Sequence, residues 1–520
     1  MSTTANEVDA SSRAGSTLLG FPKGAWLIVS VEFWERFSFY TMMGLLALFL
    51  TGTTTLGGFG WSDPKALALV GFYSGAMYVF PSIGGWIADR VLGRRRAVTI
   101  GLILMFMGQL LFTAPYFLPL LLGQMRDLPL LETLHQLGVP LGYLFRPVSV
   151  DAALAASGAA LPGGQGVELL TLAYALGAWG FYVAIACMIM GNALMKSTLV
   201  VLCGENFRLD DPKRDGAFAY YYLGICLGGV LSGLIAGLIA ASLGWHYAFL
   251  VGAAGVALAL IGYLSLGSRL LGSIGVAIEK PALVANADTT VAIGRGLGGF
   301  LRQHADRLIL LFVLSLILLV FSAGWFQLYG TWTLFIERFV DRSVGSFTVP
   351  VPWFSSWNPA VVILFAPIVA TLGTRLGQTG RAPDIVQKYL LALVLVIAGH
   401  VLMYWASQLA GADSKAPLWI PTVAIALTAI GELVAWTSTY GLVTRVAPPG
   451  YASATMGAWY AMTIGLGGYL SGFTGGWLEP LGYGGTFLAV AGITAVATLV
   501  TLALRGWLSR RAAHAGVTLT

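Results

Sequence analysis

The sequence predicts an all-α polytopic membrane protein with twelve transmembrane helices in two six-helix bundles. Three observations lead there. The 520-residue chain is 57% hydrophobic and only 10% charged, with a mean hydropathy of +0.80, whereas soluble domains carry roughly 25% charged residues. Apolar runs of about 20 residues, each able to cross roughly 30 Å of hydrocarbon as a helix, recur along the whole length. A polar, glycine-bearing stretch near the middle separates six such runs from six more.

A polar tail over residues 1–22 precedes the first span, 23–50. That span is long and broken by charge, unlike a cleavable leader, so the chain is expected to enter the membrane by its own spans. The second, 66–87, ends in a basic turn with Arg90, Arg94, Arg95 and Arg96. The third, 97–118, leads into a long loop over about 119–170, and spans at 171–202, 217–241 and 247–266 complete a first half over residues 23–266. Residues 267–306 read as the linker between halves. The second half, 307–505, carries spans at 308–336, 358–372 with a lead-in from Pro352, 385–408, 418–443, 456–476 and 486–504, and a basic tail over 506–520 follows.

Charge placement fixes the expected orientation. With both termini in the cytoplasm, only Lys65, Arg126, Arg146, Arg338, Arg342 and Lys415 of the 29 basic residues face outward, and Arg36 and Lys196 lie within helices. This is the positive-inside pattern of a multi-pass membrane protein. The net charge of +6 is therefore an orientation signal, and no nucleic-acid partner is implied. Two such halves around a linker is also the layout of transporters that rock one bundle against the other. A fusion of two unrelated bundles is the alternative.

The stretch from Glu32 to Tyr40 is the exception to the apolar pattern. A charge at the bilayer centre costs roughly 2.5 to 3.5 kcal/mol on insertion scales, which makes intramembrane ionisable groups functional-site candidates. On a helix Glu32, Glu35 and Arg36 share one face with Tyr40 a turn beyond. One arginine neutralises at most one of two carboxylates. The other can relieve its desolvation by taking a proton, the chemistry of a proton relay. Lys196 in the first half and Glu432, alone in the apolar run 420–436, are further intramembrane charges. The plainer readings are a structural Glu32–Arg36 helix pair and a packing or snorkelling role for Lys196 and Glu432. Cys187, Cys203 and Cys226 read as small packing residues. None of the five histidines pairs with these acids at metal-ligand or triad-like spacing, so neither an enzyme nor a metal or other cofactor is indicated.

Several segments together resemble the proton-coupled oligopeptide transporters, a branch of the major facilitator superfamily. Glu32 to Tyr40 is similar to the ExxERFxYY signature. Gly84, Gly85, Ala88, Asp89, Arg90, Gly93, Arg94 and Arg95 resemble the turn after the second helix, and Gly244 to Phe249 the GWHYxF start of the sixth. Asn358-Pro359 resembles the step opening the eighth helix, and Glu432, Ala447-Pro448 and Trp459 the tenth and eleventh. The resemblance implies symport of protons with di- and tripeptides by alternating access, in a protein working as a monomer in the bilayer. It implies proton coupling through Glu32, Glu35, Arg36 and Lys196. Arg36 and Lys196 would face the peptide carboxylate, Glu432 and Asn358 the amino terminus, Tyr40 and Tyr78 the peptide backbone, and Trp459 a side-chain pocket. Asp89 and Arg90 would act in conformational change.

The chain also departs from the family pattern. Phe39 replaces a tyrosine, Lys196 is followed by Ser197-Thr198 instead of Pro-Asn, and Cys226 stands where an asparagine helps hold the amino terminus. Met43 occupies the position of an arginine, and Gln327, Leu328 or Tyr329 that of a helix-seven glutamate. Both partners of the family's outer-gate ion pair are thus missing, which leaves no buried charge unpaired. The outer gate is expected to close by uncharged contacts, with the Glu32–Glu35–Arg36 group carrying more of the proton linkage. A member moved to a non-peptide anion and a superfamily drug or solute exporter are the alternative functions.

Overall fold

A backbone crossing hydrocarbon must satisfy its own N–H and C=O groups, and a helix does so within one segment. The computed structural model, which describes residues 17–52, 58–125, 164–208, 211, 213–276, 302–411, 413–448, 452–517 and 519, is accordingly almost entirely helical. Most of the expected N-terminal tail, the middle of the 119–170 loop and most of the 267–306 linker lie outside the described residues.

The first set of helices is α1 (Lys23–Thr51), α2 (Asp63–Val79), α3 (Pro81–Ile87), α4 (Arg94–Met125), α5 (Gly164–Glu205), α6 (Lys213–Ser242) and α7 (Trp245–Leu271). The second is α8 (Ala305–Trp325), α9 (Thr331–Phe339), α10 (Pro352–Gln378), α11 (Ile385–Leu409), α12 (Trp419–Val446), α13 (Ala452–Tyr460), α14 (Leu466–Phe473) and α15 (Leu478–His514). Within the first set α1 packs on α6 and α7, and α4 on α5 and α7. Within the second, α11 packs on α12 and α15, and α8 on α14 and α15.

Among the described residues ten segments are long and apolar enough to cross a membrane. The 29-residue α1 is not among them, because its internal charges lower its hydropathy. The 60-residue segment Thr455–His514 breaks at Gly482, whose φ of 66° and ψ of −178° only glycine adopts readily. The expected twelve requires counting α1 as a span and this last segment as two. The expected start of the eighth helix at Asn358-Pro359 is corrected: α10 begins at Pro352 and carries Pro359 inside it. Pro359 has no N–H to donate, which leaves the carbonyl of Ser355 outside the helical ladder beside the site.

The chain crosses repeatedly between a face bearing the basic turns and a far face. The two sets meet along α2 with α14 and along α6 with α10. Both seams run on glycine. A Cβ on Gly71 would lie 2.5 Å from the Gly472 Cα, and one on Gly233 would lie 2.3 Å from the Pro352 carbonyl oxygen. Gly71 with Gly75, and Gly468 with Gly472, are i, i+4 pairs that let backbones touch as in membrane helix dimers. Trp353 Nε1 donates to the Leu234 carbonyl at 3.1 Å, and Ser356 Oγ to the Gly229 carbonyl at 3.2 Å. Toward the basic face the α6–α10 seam gives out. Tyr222 and Leu223 of α6 and residues 371–375 of α10 are exposed there. On the other side Ser82 Oγ still donates to the Gly457 carbonyl at 3.2 Å. The structure is closed at the far face and parted between α6 and α10 at the basic one.

Overpacking a tight seam costs about 1–3 kcal/mol. Gly71→Leu should therefore shift the protein from far-face-closed states to open ones. Pulsed electron–electron distances between labels at residues 65 and 479, in a cysteine-free background, should gain a longer population. An unchanged distribution would show that the glycine contact does not hold this face shut.

Candidate functional site

The charges of α1 are sealed inside the first set: Glu32, Glu35 and Arg36 are each 1% exposed. Helical spacing favours Glu32 as the arginine's partner, but the guanidinium instead forks onto Glu35. Arg36 Nε pairs with Glu35 Oε2, and Nη2 donates to Glu35 Oε1 at 2.6 Å. Glu32 Oε1 stands off at 3.4 Å from Arg36 Nε, while Glu32 Oε2 accepts from the Tyr221 hydroxyl of α6 at 2.6 Å. Arg36 Nη2 also donates to Asn192 Oδ1 of α5 at 2.8 Å, and Asn192 Nδ2 to the Met77 carbonyl of α2 at 2.7 Å. The guanidinium carbon sits 4.6 Å above the Phe39 ring. One cation thus serves two carboxylates with its donors largely committed, and Glu32 is the less compensated acid.

One turn beyond Asn192, α5 presents Lys196. The short α3 packs hard on this helix, since a Cβ on Gly84 would lie 2.1 Å from the Ala193 carbonyl oxygen. The half-buried Lys196 ammonium lies 5.1 Å from the centroid of the Tyr78 ring. Among the described residues it forms no ion pair. From the second set, Glu432 of α12 accepts from Trp325 Nε1 at 2.9 Å, with the Asn358 carboxamide beside it. Asn358 is buried, and its carboxamide is directed at the Glu432 carboxylate. Tyr40 of the first set faces Tyr329 of the second at 6.5 Å between ring centroids. The Tyr329 hydroxyl is buried without a partner. Cys226 lies in an apolar cluster with Val361, Val362, Ala429 and Leu433, joining the sets below Glu432. Trp459 is 2% exposed, packed edge-on against Trp436, Tyr440 and Tyr460.

The remaining predicted residues divide. Asp89 accepts from Arg94 Nε at 2.8 Å, and Arg94 also pairs with Glu205 of α5, all within the first set. Arg90 is exposed. The hydrogen bonds of Met43 and Gln327 stay within their own sets. Met43 is buried, its sulfur 3.8 Å from Ser74 Oγ of α2. The Gln327 carboxamide accepts from Thr331 and Thr474 at 2.7 and 2.9 Å and donates to the Ala323 and Ser471 carbonyls, all in the second set.

The expected uncharged closure is also corrected. At the far face Arg338, ending α9, clasps Asp63 at the start of α2 through two bonds of 2.6 and 2.7 Å. Tyr483, near the start of α15, donates to the same carboxylate at 2.8 Å. A charged clamp joins the sets there, above the glycine seam. Sequence reasoning missed Asn192, Tyr221, Trp325, Asp63 and Arg338. Asn192 alone carried a readable signal, a carboxamide within an apolar span.

The sequence model of the POT family matches residues 95–293 and 301–479. The peptide transporter YePEPT of Yersinia enterocolitica is 25% identical over 514 residues, covering 89% of this chain and 89% of its own. Dipeptide and tripeptide permease A of Escherichia coli is 23% identical over 531 residues, covering 92% and 91%. The crystal structure of a peptide transporter, POT, in complex with sulfate aligns with a TM-score of 0.75 at 21% identity, over 95% of this chain and 97% of that one, and shares its fold.

Partly exposed ion pairs contribute ~0.2–1 kcal/mol, up to a factor of about five in a two-state population. In solubilised protein, maleimide labelling of a Leu67→Cys reporter on α2 should speed up by up to about fivefold in Arg338→Gln. It should slow again in the double reversal Asp63→Arg with Arg338→Asp. No change in the single variant would mean that the clamp does not hold the closed state.

Proposed function

The chain belongs to the POT family, and from that premise we propose that it imports di- and tripeptides with protons across a bacterial inner membrane. It is a multi-pass membrane transporter and not an enzyme. The observation that carries the finer reading is the pair of opposed, available charges contributed by the two sets. Lys196 is a cation without an ion-pair partner among the described residues. Glu432 keeps lone pairs beyond its bond from Trp325 and has the Asn358 carboxamide beside it. A peptide zwitterion carries the complementary charges at its ends, and a site that grips the ends tolerates varied side chains. Because Arg36 is bound into the α1 cluster, the peptide carboxylate falls chiefly to Lys196. Tyr40, Tyr78 and the orphaned Tyr329 hydroxyl supply hydrogen bonds along the backbone.

A ligand touching both sets favours states that bring them together, which is how binding free energy becomes closure. In this reading the basic face is cytoplasmic, the structure is inward-facing, and the Asp63–Arg338–Tyr483 clamp is the outer gate. Glu32, Glu35 and Arg36 form the proton site. Tyr221, bonded to Glu32, ties that site to α6, which carries one of the seams between the sets. Cys226 favours a second reading, a substrate without an amino terminus, because a polar group of the family site is replaced there by a thiol in an apolar cluster.

Uptake of labelled dialanine into proteoliposomes under an inward acid gradient distinguishes the two. Trialanine should compete, while free alanine and nitrate should not. Glu432→Gln should weaken apparent peptide affinity about tenfold or more, the range for a lost charge-assisted bond. No dialanine uptake, with labelled nitrate accumulating under the same gradient, would replace the peptide reading by the anion one.

A further inference from the structure

Between α4 and α7, near the basic face, lies an open cavity of about 270 Å³ lined by Arg95, Arg96, Thr99, Tyr263, Ser268 and the apolar Ile100 and Leu264. None of these residues belongs to the α1 cluster or to the poles around Lys196 and Glu432. The volume falls below the roughly 300–1,000 Å³ of drug-sized ligand sites.

The lining is built for an anion. Arg95 is anchored by a bond from Nη1 to the Gly272 carbonyl at 2.8 Å, just past the end of α7, and a guanidinium has four further N–H donors. Arg96 is exposed and, among the described residues, makes no ion pair. Among the described residues no acidic side chain lines the cavity. Tyr263 supports that arrangement: its side chain is 3% exposed and its buried hydroxyl lies against the Arg95 side chain, holding it at the cavity. Ser268 adds an exposed hydroxyl to the lining.

Two guanidinium forks and a hydroxyl match the oxygens of a phosphate. The cavity's surroundings select among phosphates. From Ile100 an exposed apolar ridge continues along α4 through Ile103 and Met107, and from Leu264 another runs along α7 through Ile261 and Leu258. A free phosphate has no use for such walls, whereas acyl chains lie along them. We propose that this cavity holds the phosphodiester of an anionic phospholipid in the leaflet at the basic face, with its chains against these two ridges.

Native mass spectrometry of the full-length protein in detergent, titrated with dioleoyl phosphatidylglycerol or dioleoyl phosphatidylcholine, tests the proposal. The expected result is a retained phosphatidylglycerol adduct that phosphatidylcholine does not form and that millimolar inorganic phosphate does not displace. Arg96→Gln, at an exposed position, should weaken that adduct about fivefold. Tyr263→Phe, which keeps the ring, should weaken it without lowering thermal stability and serves as the readout should the arginine variant fail to fold. Equal adduct retention in the folded variants would overturn the proposal. So would displacement by inorganic phosphate, which would leave a free-anion site.

Discussion

A single guanidinium shared between two buried carboxylates is the constraint on which the rest of the molecule depends. Arg36 cannot satisfy both acids. It forks onto Glu35, leaving Glu32 at 3.4 Å with a phenolic hydroxyl as its best partner. Charges of this kind persist in a low-dielectric interior only when further hydrogen bonds hold them. Here those bonds come from α5 through Asn192 and from α6 through Tyr221. The cluster therefore binds α1 to the helix that carries Lys196 and to a helix that forms one seam between the sets. A change in its charge is felt by both.

From that follows the division of labour around the midplane. Because Arg36 is committed, Lys196 stands as the available cation of the first set, facing the Tyr78 ring and no carboxylate within ion-pair distance among the described residues. The second set answers with Glu432, oriented by the Trp325 indole and flanked by the Asn358 carboxamide. Above this level the sets are held together by means that come apart without leaving buried charge. The glycine seams are van der Waals contacts joined by neutral hydrogen bonds from Trp353 and Ser356, and the Asp63–Arg338–Tyr483 clamp sits at the far rim, where its parted charges can be solvated. Parting the sets at this rim strands no ion in hydrocarbon.

The parts legible in the sequence were those with a local signature. Span positions followed from apolar runs, and the Glu32–Glu35–Arg36 group from i, i+3 and i+4 spacing in a place where charge is costly. Lys196 and Glu432 stood out for the same reason. What periodicity could not supply was partnership across the fold. Arg338 and Asp63 are 275 residues apart, each looks like an ordinary polar residue at a helix end, and only tertiary packing makes them a clamp. Tyr221 sits in a run of three tyrosines, of which sequence cannot choose the one that faces Glu32. Trp325 was one aromatic among many until the fold brought its indole to Glu432, 107 residues away. The α10 start was misplaced because Asn358-Pro359 has the look of a helix opening while lying inside a longer helix.

The claim that the α1 carboxylates couple protons to transport is tested most directly by comparing two assays on the same proteoliposomes. One is peptide accumulation driven by an inward acid gradient, and the other is peptide counterflow with no gradient, for wild type, Glu32→Gln and Glu35→Gln. Loss of gradient-driven accumulation with counterflow retained is the predicted result. Full accumulation in both variants would contradict it.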